Sequence, residues 1–388
     1  MKMKLIAAAA FAVAALPAAH AVDIKAGDWT VSVGGNINAF YTHSSCKEPS
    51  GTVGGTALGD AALACGGKDS STVIGNGLLP SMLSVGAKTQ QSGYDIGATI
   101  GMGVATATNS AIGQNNVVDV RHAFVTFGNA DMGTVKLGRD YGMFGLTPVL
   151  SDMTLLGVGA ATKATQNGRV SLGHLGAGQV YPGTYGQIAY TAPSMGALTV
   201  DVGLMSPVDA TNTSSDTPQF QARATYAGQG YKAWASVKSQ QFDARAAAAA
   251  TATTAAVTAA PKFTMNATEL GASVTSGPLG LVATVQSGKG LGILADADQG
   301  DIKTSNAFLQ GTYQATDKAK VGLSWGRSKN DTGAGTGLKS NANVTAGLYY
   351  SLTKSLTLVG ELGQTTSKAF SGASAKQSSV AFGGIFFF

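Results

Sequence analysis

The chain ends with the stretch Ser378-Ser379-Val380-Ala381-Phe382-Gly383-Gly384-Ile385-Phe386-Phe387-Phe388. Counted back from the terminus, alternate positions form one apolar face of a strand, because strand side chains alternate with period two. These positions are Phe388, Phe386, Gly384, Phe382 and Val380. So aromatic a strand, ending in a charged terminus, predicts the closing strand of a β-barrel in an outer membrane, where no strand edge is left unpaired. Taken alone, the stretch also fits a buried last strand of a soluble β domain.

Residues 1–21 predict a signal peptide. Lys2 and Lys4 supply its positive start, 5–16 its apolar stretch, and Ala19-His20-Ala21 a small-residue cleavage site. The apolar stretch is too short for a spanning helix, which needs about 20 residues. We therefore expect an export signal over 1–21 and a single domain over 22–388, and if that domain enters a membrane it must do so as a barrel.

Composition agrees with this class of protein. Charged residues make up 12% of the chain and 53 residues are Gly, which is unusual for a soluble α/β enzyme. The formal net charge of +5 is too small to indicate nucleic-acid binding. Glutamate is scarce, with three residues, Glu48, Glu269 and Glu361.

Two cysteines, Cys46 and Cys65, lie in one polar, Gly-rich stretch. In an exported protein they favour a disulfide, which contributes about 3 kcal/mol through loop-closure entropy. Two free thiols are the alternative. A metal site is disfavoured because His43 is the one further metal-ligand side chain nearby, and we expect no metal and no cofactor.

The rest of the chain divides into sixteen alternating segments. Short turns and long polar loops alternate between them, which is typical of a barrel with all its turns at one rim and all its loops at the other. The sequence therefore predicts an all-β fold, a 16-stranded antiparallel transmembrane β-barrel. The segments are 28–43, 77–90, 93–106, 116–128, 133–141, 183–192, 197–206, 217–227, 230–242, 263–275, 280–289, 303–315, 319–329, 341–352, 355–366 and 375–388.

The stretch from Arg121 to Gly142, RHAFVTFGNADMGTVKLGRDYG, resembles the general diffusion porins of Gram-negative outer membranes. The resemblance extends to Ser151-Asp152-Met153 and Gly168-Arg169-Val170. The terminal Phe388 and the count of sixteen strands also agree with it. The resemblance implies a water-filled channel for passive diffusion of ions and small hydrophilic solutes. It also implies a homotrimer in the outer membrane of a Gram-negative bacterium, with the long third loop, 142–181, folded into the pore.

Carried over by motif, the resemblance assigns three residues to the pore constriction. Arg121 and Arg169 match wall arginines, and Asp152 matches a loop carboxylate. Strand parity predicts that Arg121 shares the inward face with Ala123 and opposes Phe124.

Arg139 has a different predicted place. It shares parity with Val135 and Leu137, which predicts the outward face. We therefore expect Arg139 at a subunit interface rather than in the pore.

Two departures from the family pattern modify these expectations. Leu156 stands where the family commonly has a second loop carboxylate, and Asp152 is the one acid of 142–168, against Lys163. An acid-poor constriction predicts weak anion preference. The loop 107–115 lacks the acid that latches onto a neighbouring subunit, so trimer contacts are expected to be mainly apolar.

Other functions have less support. A substrate-specific channel for phosphate or an organic acid is the main alternative, since arginine binds such anions bidentately. An enzyme is disfavoured: His43 lies at a strand end, His122 has predicted outward parity, and His174 has no readable partner motif. A purely structural or adhesive barrel would not need a long internal loop with charges.

The remaining expectations concern partners. We expect contacts with outer-membrane lipid and lipopolysaccharide, small hydrophilic solutes and the barrel-assembly machinery, the last through the strand ending at Phe388. No nucleic acid is expected.

Overall fold

A computed structural model describes residues 21–107, 118–166, 169–210, 212–250, 256 and 258–388. Apart from Ala21, the predicted signal peptide lies outside these residues, as does 108–115 of the predicted second loop. Within the described part, no helix is long and apolar enough to cross a membrane.

Strands dominate the chain. They are β1 (Val22–Ala26), β2 (Trp29–Lys47), β3 (Ser70–Gly75), β4 (Ser81–Gln91), β5 (Tyr94–Val104), β6 (Val118–Asn129), β7 (Gly133–Tyr141), β8 (Ala161–Gln166), β9 (Arg169–Ser171), β10 (Thr184–Thr191), β11 (Leu198–Met205), β12 (Thr213–Ser214), β13 (Gln219–Gly228), β14 (Tyr231–Asp243), β15 (Phe263–Ser276), β16 (Leu279–Lys289), β17 (Lys303–Gln314), β18 (Ala319–Asn330), β19 (Leu338–Ser351), β20 (Leu356–Ala369) and β21 (Ser374–Phe387). The helical elements are α1 (Ala61–Ala64), α2 (Leu146–Ser151) and a 3₁₀ turn, Met153–Leu156.

Sixteen of these strands form a closed antiparallel barrel. They are β2, β4–β7, β10, β11 and β13–β21. Each predicted segment corresponds to one of them, which confirms the predicted fold class. The sequence did not predict the short β1, β3, β8, β9 and β12. β1 and β3 extend the sheet along β2, and β8 pairs with β9 in a separate two-stranded sheet.

The barrel closes where the last strand meets the first long one. β21 pairs antiparallel with β2, from Asn36 opposite Phe387 to Lys47 opposite Lys376. The terminal Phe388 extends this seam, because its N–H donates to the carbonyl of Gly35 at 3.1 Å and its carbonyl accepts from the N–H of Gly35 at 2.9 Å. Both edges are thereby paired, as a sheet in hydrocarbon requires.

Strand alternation separates an apolar outside from a polar inside. On β20 and β21, for example, Leu362 and Phe382 are well exposed, whereas Glu361, Ala381 and Gln377 on the opposite face are buried. The pattern reverses that of a water-soluble protein and matches an apolar band against lipid around a polar interior.

Tight turns join the strands at one rim. Ser92 and Gly93, between β4 and β5, both have positive φ, 49° and 80°, as a two-residue type I′ turn requires. Gly230 and Gly277 adopt positive φ in two further turns. The long connections all leave from the opposite rim, as the alternating lengths predicted.

Cys46 at the end of β2 and Cys65 after α1 form a disulfide with a Cα–Cα distance of 6.4 Å. Both side chains pack in a small buried cluster with Ala64. The bridge holds the first long loop against the β2 end of the wall.

Candidate functional site

One long connection, 142–183, leaves β7 and returns to the adjacent β10. Its two ends meet where the N–H of Gly142 donates to the carbonyl of Gly183 at 3.2 Å. Between them lie α2, the 3₁₀ turn and the β8–β9 hairpin. A connection of this length is uncommon unless it is functional or disordered, and here it carries its own secondary structure.

The backbone of this connection is held by side chains of the barrel wall. Irregular backbone needs hydrogen-bond partners when it is removed from water, and here wall strands β15–β18 and β20 supply them. The bonds run from Gly145 N–H to Glu269 (3.0 Å), Met153 to Gln310 (2.6 Å), Val158 to Glu361 (2.8 Å), Gly178 to Ser328 (2.9 Å) and Val180 to Gln286 (3.1 Å). The connection therefore packs against the inward face of strands remote from its own ends.

Two of these anchors are glutamates. Glu269 has no exposed surface and also accepts from the Ser236 hydroxyl at 3.0 Å and the Gln286 amide at 2.7 Å. Glu361 accepts from the N–H groups of Val158 and Gly159, both at 2.8 Å. Sequence reasoning noted that glutamate is scarce but gave these two residues no role, although both have inward parity.

Asp152, the predicted constriction carboxylate, is enclosed by its own connection. It is 4% exposed and accepts from the N–H and hydroxyl of Thr154 at 2.9 and 2.8 Å. Its second oxygen lies 2.9 Å from His174 Nδ1, and His174 is itself fully buried. Asp152 thus caps the 3₁₀ turn and ties it to a later part of the connection.

Arg121 points into the barrel because of a β-bulge, which strand parity alone does not predict. The register shifts between Gly101 and Met102 on β5, so that Arg121 is an extra residue on β6, a β-bulge. The prediction that Arg121 shares a face with Ala123 and opposes an outward Phe124 was wrong. Ala123 is exposed and Phe124 is buried on the inward face.

The neighbours of Arg121 are an acid and a phenol. Its Nε donates to Asp119 at 2.7 Å, and Nη1 donates to the Tyr141 hydroxyl at 3.2 Å. Asp152 has other partners, Thr154 and His174. Among the described contacts, Arg121 and Asp152 therefore do not bind each other.

His122 corrects a second parity assignment. It was predicted to face outward, but the bulge turns it inward, where it is buried. Its Nε2 lies 3.6 Å from Asp140 Oδ1, and Lys136 Nζ lies 2.5 Å from the other oxygen of the same carboxylate.

The two other predicted arginines lie elsewhere. Arg139 is exposed on the outer face with Leu137, as parity predicted, and donates to the Val120 carbonyl at 3.0 Å and the Thr184 hydroxyl at 3.3 Å. The backbone of Arg169 begins β9, and its side chain lies outside the described part of the structure.

Sequence reasoning missed two inward ion pairs on β11, β13 and β14. Arg223 donates to Asp201 at 2.8 Å and to the Thr147 hydroxyl of α2 at 3.3 Å. Lys238 pairs with Asp296 of the 290–302 loop. Strand parity could have predicted that Arg223 and Lys238 face inward. It could not have predicted their partners Thr147 and Asp296, which lie in long connections.

A third group of charges lies inside the barrel near the short turns. Lys232 lies on the same strand face as the buried Trp234 and therefore faces inward. Lys88 lies opposite Gly97 in register, and Gly97 lies opposite the buried Thr126, so Lys88 also faces inward. Lys320 lies on the inward face, its Nζ 5.6 Å from the centre of the Tyr349 ring.

Two inward acids lie near the same rim. Asp95 accepts from the Gln90 amide at 3.1 Å, and Asp23, opposite Ser32 in register, accepts from the Ser32 hydroxyl at 2.5 Å. This mouth of the barrel therefore carries more positive than negative side chains among the described residues.

Comparison with known proteins places the chain among barrels of this kind. The family model described as Gram-negative porin matches residues 5–369. No curated protein matches the sequence. The anion-selective porin from Comamonas acidovorans is similar in structure, with 17% identity and a TM-score of 0.65 over 93% of this chain and 100% of that chain.

Two other solved structures are similar. The outer membrane channel DcaP of Acinetobacter baumannii has 16% identity and a TM-score of 0.65 over 94% of this chain and 99% of that chain. The trimer form of OmpT of Vibrio cholerae has 14% identity and a TM-score of 0.56 over 93% of this chain and 99% of that chain. At these identities the likeness supports the fold alone.

Proposed function

This chain belongs to the Gram-negative porin family and forms a diffusion channel in the outer membrane, and we propose that its pore passes small hydrophilic solutes with a weak preference for anions. A 16-stranded barrel encloses an aqueous channel. Family and fold are those of channels rather than enzymes.

We propose that the connection 142–183 narrows this channel. The support is its set of hydrogen bonds to the inward face of five wall strands, β15 to β18 and β20. A segment held on the inward face reduces the open cross-section and sets a size limit for solutes. Asp119 and Arg223 are partly exposed charged wall residues beside which solutes then pass, and Arg121, which is 6% exposed, acts on those solutes from behind the wall surface through its charge.

The anion preference rests on how the interior acids are used, and this observation carries the proposal. Glu269, Glu361 and Asp152 are each at most 5% exposed and accept hydrogen bonds from the connection. Acids engaged in this way are withdrawn from the water that ions cross, whereas Lys88 and Lys232 are exposed in the mouth. Exposed charges of one sign raise the local concentration of ions of the other sign.

We propose that the channel is a homotrimer. The trimer form of the Vibrio cholerae OmpT structure, a barrel of similar fold, supports this assembly. Arg139 on the outer face beside Leu137 is our candidate for a polar interface contact in an otherwise apolar surface.

Neutralising the mouth lysines tests the proposed selectivity. In planar bilayers, the double variant Lys88→Gln/Lys232→Gln should lose most of the anion preference measured as a zero-current potential across a KCl gradient. Lys303→Gln is the matched control, because it removes the same kind of charge from the outer face. An unchanged potential in the double variant, or an equal change in the control, would overturn the proposal.

A further inference from the structure

The first long loop, 48–69, also folds onto the inside of the barrel. It joins β2 to β3, yet it is hydrogen bonded to strands beyond the closing seam. The N–H of Gly59 donates to the Ser367 hydroxyl of β20 at 2.8 Å, and the N–H of Gly54 donates to the Thr336 carbonyl, just before β19, at 2.7 Å. Ser367 shares the inward face of β20 with Glu361. The loop therefore lies against the inner wall instead of projecting from the rim.

Asn341 of β19 holds this loop and the connection 142–183 at the same time. Its amide nitrogen donates to the Thr56 carbonyl at 2.8 Å and to the Gly176 carbonyl at 3.1 Å. Its amide oxygen accepts from the N–H of Leu58 at 3.3 Å. The Asn341 side chain has no exposed surface, so these bonds satisfy backbone groups that water does not reach. One wall residue thus fixes the first loop and the connection beside each other.

An apolar cluster joins the same two segments inside the barrel. Leu58 of the first loop has no exposed surface. A third segment, the 290–302 loop, adds Leu294, whose carbonyl accepts from the Tyr181 N–H at 2.8 Å. We call this cluster the loop core; it consists of Leu58, Val149, Leu155, Leu172, Leu175, Ala177 and Leu294. Burial of a leucine side chain is favourable by about 2 kcal/mol, so Leu58 opposes release of the first loop into water.

The disulfide restrains the loop from its other side. Cys46 belongs to the end of β2, and Cys65 follows directly after α1. Residues 47–64 are therefore enclosed between the bridge at the wall and Leu58 in the loop core. The loop cannot move out of the barrel as a whole unless Leu58 leaves that core.

We propose that the first loop is a second size-limiting element of the channel, seated on the connection 142–183 and held there by Leu58 and Asn341. This inference rests on the proposed channel function. Backbone packed against the inward faces of β19 and β20 takes up cross-section that solutes would otherwise use. The passage is then confined to the side of the charged wall, where Asp119 and Arg223 are partly exposed. Large solutes are affected more than small ones.

Hydrogen exchange measured by mass spectrometry tests the seating of the loop. In wild type, the peptide that contains Gly54 and Gly59 should be protected. In Leu58→Asn its exchange should be about 30-fold faster, as expected when a fully buried leucine is removed, while the amides of Val158 and Gly159, bound by Glu361, keep their protection. The control Ala62→Asn places the same side chain on an exposed position of the loop and should change neither peptide.

Two exchange results would overturn the proposal. One is exchange of the wild-type first loop at the rate of an unstructured peptide. The other is equal acceleration of both peptides in Leu58→Asn, because the first loop would then have no effect separable from that of the connection.

Liposome swelling tests the size limit itself. Leu58→Asn should speed swelling in a trisaccharide relative to wild type and leave swelling in a monosaccharide unchanged, whereas Ala62→Asn should match wild type in both sugars. An unchanged ratio of the two rates in Leu58→Asn, with an active wild-type channel, would overturn this inference alone. Failure of the wild-type protein to admit the monosaccharide would instead overturn the channel function on which the inference rests.

Discussion

Glu361 on the barrel wall accepts a hydrogen bond of 2.8 Å from the N–H of Val158, 203 positions earlier in the chain. The bond joins β20 to the connection between β7 and β10, on which the proposed size limit depends. Replacing Glu361 by leucine leaves the N–H groups of Val158 and Gly159 without their acceptor. We expect a loss of about 2 kcal/mol or more in the free energy of unfolding, together with noisier open-channel current.

Urea unfolding in lipid vesicles and single-channel recording measure these two effects. Gln364→Leu is the matched control, because it makes a similar polar-to-apolar change at an outward position of the same strand. A quiet channel with wild-type stability in Glu361→Leu would show that the connection does not depend on this anchor.

The two arginines of the Arg121–Arg139 motif should behave differently when neutralised. Arg121→Gln removes an inward charge, and an ion passing about 8 Å away in water interacts with that charge by about 0.5 kcal/mol. Chloride then loses an attraction and potassium loses a repulsion of this size, so we expect about a fivefold fall in the chloride-to-potassium permeability ratio. Arg139→Gln, on the outer face, should leave the ratio unchanged. Equal effects of the two variants would contradict the assigned faces.

Removal of the disulfide should loosen the first long loop without opening the barrel. Cys46→Ser/Cys65→Ser should lower the free energy of unfolding by about 3 kcal/mol, seen as a lower urea midpoint. Wild-type protein treated with a reductant should show the same shift, and the variant should not respond to the reductant. A loss of conductance would mean that the bridge supports the wall as well as the loop.

We expect the stability of the folded protein to depend on pH through Asp298, in the 290–302 loop. Burial raises the pKa of this carboxyl above its ordinary value of 3.8, against the opposing effect of the N–H groups of Leu294, Ile293 and Ala295. A raised pKa means that the folded loop binds the proton more tightly than the unfolded chain. Its contribution to stability is therefore largest below the ordinary pKa and declines as pH rises through the raised one.

Asp298→Asn is neutral at every pH and should remove this slope. The measurement is the difference in urea midpoint between wild type and variant from acid to neutral pH. A difference that does not vary with pH would contradict the raised pKa.

The barrel itself could be read from the sequence because its determinants are local. Period-two alternation along 197–206 and 355–366, turn residues such as Gly230, and the apolar terminal strand each lie within one segment. Hydrogen bonding between neighbouring strands then fixes the closure. The β8–β9 hairpin was missed because it belongs to a connection whose conformation depends on distant partners.

The candidate site could be predicted from the sequence less completely than the barrel, for two physical reasons. One extra residue on β6 reversed the parity around Arg121, so that His122 and Phe124 turned inward against prediction. The role of Asp152 depends on His174, and those of Glu269 and Glu361 depend on backbone groups more than 100 positions away. Residue type and motif identified charged positions but not which of them remain in contact with water.

The sign of the zero-current potential of the wild-type channel across a KCl gradient tests the central claim most directly. If the interior acids are withdrawn as anchors while Lys88 and Lys232 stay exposed, chloride crosses more readily than potassium and the dilute side becomes negative. A positive dilute side, showing cation preference, would mean that the acids control ion passage and would contradict the account.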